Sequence, residues 1–271
     1  MASASVMTKN PDVRVLAMPP FPSIARSLLA SCDPVIVGKI TDAMKKFAIT
    51  SDVCTDIESA YQLINTRKFD TVSVDFDLGE QALGLLGALR LSSSNKTVPA
   101  IAITRHHSEL ALAYCAGTNF VLQKPLDGLA LNRMLSAGYG LVVRELRRYF
   151  RCRVKIKGTM LAAQFGQRTC QIVNISEGGM EIVCSEPKLT AGTGLHIEFS
   201  LPDGKARFKV PCETRWRNAR GHAGVRFLLM PLGQRCDLQR WIADRLEDGL
   251  PESVAERFRS ANNRLRSGDR V

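Results

Sequence analysis

Aromatic residues are scarce in this chain, at 6% with two tryptophans, and no apolar run approaches the ~18 residues that a membrane-crossing helix needs. With a mean hydropathy of -0.05 and 23% charged residues, no membrane insertion is expected. The opening residues MASASVMTKNPDVRVLAMPPFPS contain no basic segment followed by a continuous apolar stretch, so no secretory leader is expected and the expected location is cytoplasmic. CxxC spacing is absent as well. The eight cysteines stand at 32, 54, 115, 152, 170, 184, 212 and 236; several alternate with apolar residues, and they read as reduced core thiols. The four histidines (106, 107, 196, 222) make no recognisable ligand set with them, so no metal site is expected. A P-loop, HExxH, GxSxG and a paired acid with a base partner are also missing, which argues against an enzyme.

What is present suffices for real cores. The 271 residues correspond to about two domains of roughly 150 residues each, and 45% are hydrophobic. Charge is unevenly shared: residues 1–140 carry 13 Lys+Arg against 12 Asp+Glu, and residues 141–271 carry 24 against 14. The halves therefore sum to +1 and +10, and the second is expected to attract a phosphate-bearing partner: a nucleotide, a nucleic acid or a lipid headgroup.

The first half alternates strand and helix patterns. Strands are expected at Ser27–Ser31, Ala48–Thr55, Thr71–Asp75, Val98–Thr104 and Phe120–Gln123. Helices are expected where Ile36, Ile40, Ala43, Met44 and Phe47 share one face, after an N-cap at Thr55, at Gln81–Leu91 and at Glu109–Cys115. Five such units predict an α/β doubly wound parallel sheet, whose functional groups collect at the carboxyl ends of its strands. Those ends carry Ser31-Cys32-Asp33, Asp75, Thr104 and Lys124-Pro125. Residues 23–130 resemble a response-regulator receiver domain on this evidence. The resemblance implies Asp75 as phosphoacceptor, Thr104 as the hydroxyl and Lys124 as the lysine of its Lys-Pro pair. It also implies Mg²⁺ held by two carboxylates after the first strand, but Ser31 and Cys32 stand there, with Asp33 one residue further on. Arg105 replaces a small residue and Val121 an aromatic, so the expectation is a pseudo-receiver without Mg²⁺, in which Asp75 pairs with Lys124.

From Asp127 to Phe150 the pattern is helical, with Asp127 as N-cap and Gly138 and Gly140 as a hinge. Beyond Arg151 the alternation becomes two-fold, punctuated at Gly166, Gly178-Gly179, Gly192–Gly194, Pro202-Asp-Gly204 and Gly221. This predicts a small all-β antiparallel barrel. A closing helix follows, with Leu238, Trp241, Ile242 and Leu246 on one face before Gly249 and Pro251. The expected divisions are an N-terminal extension 1–22, the receiver-like domain 23–130, a linker helix 131–146, the barrel domain 147–248 and a basic tail 249–271, read from Pro251 on as a loosely held helix or disorder with no assigned function.

Two motifs stand in this half. RELRRYFRCR, residues 144–153, places five arginines where the helix gives way to the barrel, and NISEGG, residues 174–179, runs a strand into a glycine turn. RxxxR (Arg147, Arg151) followed 23 residues later by NxSxxG (Asn174, Ser176, Gly179) resembles the PilZ family signature, as do Gly224–Phe227 (GVRF) and Thr214–Trp216 before it. The resemblance covers residues 144–248 and implies cyclic di-GMP as ligand. It implies that Arg147 and Arg151 grip guanine edges and phosphate with Arg148 adjoining, that Asn174 and Ser176 hydrogen-bond base or phosphate, and that Gly179 keeps the turn clear. Arginine suits both targets because its planar fork meets a phosphate, or the O6/N7 edge of guanine, bidentately. The expected function is a cyclic di-GMP receptor that reorients its domains to control an unknown downstream protein partner. The alternatives are a DNA-binding regulator using the basic half, or phospho-signalling through Asp75.

Overall fold

A computed structural model describes residues 14–15, 24–184, 189–202, 207–250 and 252–267. They form two compact units. One holds residues 24–146 with the C-terminal helix; the other holds Arg147–Gly249 with the two-residue strand β1 (Arg14–Val15), which pairs with Lys155 and Val154. The rest of the expected N-terminal extension, the turn expected at Gly204 and the stop expected at Pro251 lie outside the described residues.

In the first unit β2 (Ala25–Ala30), β3 (Ile49–Cys54), β4 (Thr71–Asp75), β5 (Ala100–Thr104) and β6 (Phe120–Gln123) alternate with α1 (Pro34–Lys45), α2 (Ile57–Thr66), α3 (Gln81–Leu91) and α4 (Glu109–Cys115). The sheet is parallel throughout, in the order β3-β2-β4-β5-β6. This is the flavodoxin-like doubly wound order, with its switch point between β2 and β4. Every residue of β4 and β5 is buried, as expected of central strands covered by helices on both faces. α2 is capped by Asp56, whose carboxylate accepts from Ser59 N at 2.8 Å, and not by Thr55. A carboxylate at that position gains from the helix dipole as well as from the hydrogen bond.

Helix α5 (Gly128–Tyr149) starts at Asp127, which accepts from Ala130 N at 2.8 Å. It runs unbroken through both expected hinge glycines. Gly138 is a packing position: a Cβ there would lie 2.7 Å from the Phe120 ring. Leu131, Leu135, Tyr139, Val142, Val143 and Leu146 form its buried face. Of the two readings of the tail, the helix is the one observed: α7 (Glu252–Ser267) has Val254, Ala255, Phe258 and Ala261 buried, so it is packed and not loosely held. Those residues recur at i, i+1, i+4 and i+7, and the Arg257 guanidinium lies 4.8 Å from the Phe47 ring centroid.

The second unit is a closed six-stranded antiparallel barrel. Strands β7 (Cys152–Ala162), β8 (Gly166–Ser176), β9 (Gly179–Val183), β10 (Gly194–Ser200), β11 (Arg207–Arg217) and β12 (His222–Phe227) run in the order β7-β10-β11-β12-β9-β8, and a β7–β8 ladder closes the ring. Alternate residues of β7 are buried along its length, because only one face of each strand can reach the interior. Phe199 and Phe208 stack inside with centroids 4.8 Å apart. Helix α6 (Leu232–Glu247) packs through Leu238, Trp241, Ile242, Ala243 and Leu246. Gly224 is needed where Trp216 crosses β12, since a Cβ there would lie 2.1 Å from the indole nitrogen.

Because Phe258 is fully buried, Phe258→Ala is expected to destabilise the first unit by about 3 kcal/mol, within the range for truncating a core phenylalanine. Urea denaturation of the full chain checks this. An unshifted transition would mean that α7 contributes nothing to that core.

Candidate functional site

Two clusters of polar side chains stand out, one in each unit. In the parallel-sheet unit, β2 and β4 end side by side and deliver Ser31 and Asp75 to the switch point. Asp75 is fully buried; its carboxylate accepts from Ser31 Oγ at 2.7 Å, from Lys124 Nζ at 2.8 Å and from Asp77 N at 3.1 Å. Lys124 also donates to Asp77 at 2.8 Å, and Asp77 is paired a second time with Arg105. Hydrogen bonds from Arg105 first and Lys124 second hold the Asp77 carboxyl down to about 2. Burial disfavours the Lys124 ammonium, but hydrogen bonds to Asp75 and Asp77 outweigh it and raise its pKa.

The structure thus brings Asp75 and Lys124 together and adds Asp77 and Arg105, of which the first drew no attention in the sequence. Thr104 ends β5 with its hydroxyl buried and without a hydrogen-bond partner among the described residues. Cys32 is exposed. Asp33 caps α1, its Oδ1 accepting from Val35 N and Ile36 N.

In the barrel unit the last turn of α5 carries Arg147, whose side chain is 9% exposed. Its Nε donates to Glu177 Oε1 at 2.7 Å, and Gln239 of α6 donates to Glu177 Oε2 at 3.2 Å. Glu177 lies between Ser176 and the glycines, so this ion pair brings the arginine run to the glycine turn. Ser176 Oγ donates to Gly179 O at 3.0 Å and closes that turn. Arg148 and Arg151 are exposed, the Arg148 guanidinium 5.9 Å from the Tyr149 ring centroid. Asn174 is half-buried on β8 and donates to Glu181 of β9, which also meets His222 of β12. A Cβ at Gly179 would lie 2.2 Å from Val225 O, so the neighbouring strand itself demands glycine there.

Residues 145–244 match the family described as "PilZ domain". The chain carries a PilZ domain. Within it, RxxxR lies at the entrance to β7 and NxSxxG spans the β8–β9 turn. The sequence signal that could have drawn attention to Glu177 was its place inside that motif; for Glu181 and His222 there was none. No curated protein matches the chain. Among solved structures, the receiver domain of a sensor histidine kinase from Pseudomonas aeruginosa is 22% identical with a TM-score of 0.38, covering 42% of this chain and 95% of that one. A chemotaxis response regulator of Vibrio cholerae is 17% identical with a TM-score of 0.39, covering 42% and 97%. A response regulator from Thermotoga maritima is 17% identical with a TM-score of 0.38, covering 44% and 97%.

Two outcomes are expected from these clusters. Asp77 has a depressed pKa in the folded state, so its contribution to stability is complete above about 4 and is lost as pH falls towards about 2. Thermal unfolding of Asp77→Asn between pH 4 and 2 is expected to show a shallower loss than the wild type. Gly179→Ala is expected to destabilise the PilZ domain by about 2 kcal/mol without ligand, through the contact with Val225 O; chemical denaturation checks it.

Proposed function

We propose that this protein is a cyclic di-GMP receptor, binding the dinucleotide where the end of α5 meets the β8–β9 turn. The observation that carries the reading is the Arg147–Glu177 contact in a matched PilZ domain, because it brings RxxxR and NxSxxG to one place. Arg147, Arg148 and Arg151 supply donors for phosphate and for the O6/N7 edge of guanine. Asn174 and Ser176 supply neutral polar groups, and Gly179 lets β9 approach β12 closely. To use the Nε of Arg147, the ligand displaces Glu177.

Binding acts on domain orientation in this reading. α5 is one continuous helix that leaves the parallel-sheet unit at Leu146 and supplies Arg147 to the PilZ unit, so a ligand that holds Arg147 acts on the connection itself. A ligand preferring one orientation shifts the population towards it. The parallel-sheet unit serves as a pseudo-receiver that docks a downstream protein. Its Asp75 is occupied by Lys124 and Ser31, and the β2 end offers a hydroxyl and a thiol where Mg²⁺ calls for carboxylate oxygen. Ser31 and Cys32 do not fit the ion.

Calorimetric titration with cyclic di-GMP is expected to give saturable binding, lost in Arg147→Ala and Ser176→Ala. Absence of binding by the wild type overturns the proposal and redirects attention to DNA and protein partners of the basic half. Small-angle scattering is expected to change at saturating ligand; an unchanged profile rejects reorientation while leaving the receptor reading intact. Acyl-phosphate treatment is expected to leave Asp75 unlabelled, and labelling abolished by Asp75→Asn would reject the pseudo-receiver.

A further inference from the structure

Asn174 is held by a row of side chains that runs across three strands of the barrel. It faces Arg153 across the β7–β8 ladder and Glu181 across the β8–β9 ladder. Its amide nitrogen donates to Glu181 Oε2, and Glu181 Oε1 lies 2.6 Å from His222 Nδ1. Both ladders shift register beside this position, between Arg153 and Ile156 and between Ile172 and Asn174. Such irregularities re-aim individual side chains.

An ionised carboxylate accepts hydrogen bonds and donates none. Glu181 therefore decides which end of the Asn174 carboxamide it holds, taking the nitrogen and leaving Oδ1 as the acceptor directed elsewhere. His222 fastens the second carboxylate oxygen, so Glu181 is held at both ends. The arginines of the cluster carry donors only and read the O6 and N7 acceptors of guanine. Guanine also presents donors, N1–H and the 2-amino group, which no arginine can accept. The Ser176 hydroxyl is buried and donates to Gly179 O. A carboxamide oxygen with its orientation fixed supplies an acceptor for those donors.

We propose that Glu181 is a positioning residue that sets base selectivity: by holding the Asn174 nitrogen it presents Oδ1 to the donor edge of a 2-aminopurine. The inference rests on the cyclic di-GMP reading and adds a residue outside both motifs. It predicts that discrimination for the 2-amino group depends on a side chain that never touches the ligand.

The test is calorimetry on the full chain with cyclic di-GMP and with cyclic di-IMP, which lacks the 2-amino group. The wild type is expected to prefer cyclic di-GMP by about tenfold, the scale of one well-placed hydrogen bond. Glu181→Gln keeps the shape but can donate to Oδ1, so the carboxamide can turn over. Its preference is expected to fall to about twofold or less, mainly through weaker binding of cyclic di-GMP. Asn174→Ala is expected to erase the same preference, with no further loss in the double variant, because the two residues act as one unit. A Glu181→Gln protein that weakens both ligands equally, or keeps the wild-type ratio, overturns the inference. So does a wild type with no preference. Binding of neither nucleotide by the wild type removes the receptor reading itself, which separates the two failures.

Discussion

A guanidinium taken out of water has to be met by a fixed anion, and Arg147 is met by Glu177. That requirement organises the polar end of the PilZ domain. One carboxylate ties together the last turn of α5, the β8–β9 turn and, through Gln239, helix α6. The turn is held from within by Ser176 and pressed against β12 at Gly179, where no side chain fits. Removing Arg147 would strand a partly buried carboxylate, so in the proposed reading binding and folding draw on the same residue.

The parallel-sheet unit solves a similar problem differently. Asp75 is wholly buried, and Asp77 stands two residues beyond it at the edge of the same cluster. Lys124 bridges the two carboxylates and Arg105 takes up the second, so two anions meet two cations. Arg105, which looked out of place among receiver residues, is the counter-ion of Asp77. One carboxylate oxygen of Asp33 caps α1.

Much of this architecture could be read before any coordinates. The helices at Gln81–Leu91 and Glu109–Cys115 and the strand at Phe120–Gln123 lie where the periodicity puts them, because each buries one face or is buried outright. The barrel strands announced themselves by two-fold alternation, which a single interior face enforces. Helix α7 was harder to see. Its inward face carries one phenylalanine, one valine and two alanines, a composition that resembles a solvated tail until something packs against it. The glycines at 138 and 140 suggested a hinge because glycine weakens an isolated helix; Gly138 is instead needed where the Phe120 ring presses in.

The sequence by itself determined the two fold classes, the residue types at both clusters and the pairing of RxxxR with NxSxxG. These follow from local pattern and from chemistry that each side chain carries wherever it sits. Tertiary structure alone decided which charges meet: Arg105 with Asp77, Arg147 with Glu177, and Asn174 with Glu181 and His222. The partners belong to different strands and helices, so their meeting depends on ladder register and helix docking. Hydrophobic periodicity brings the elements together but leaves the choice of polar partners to the assembled fold.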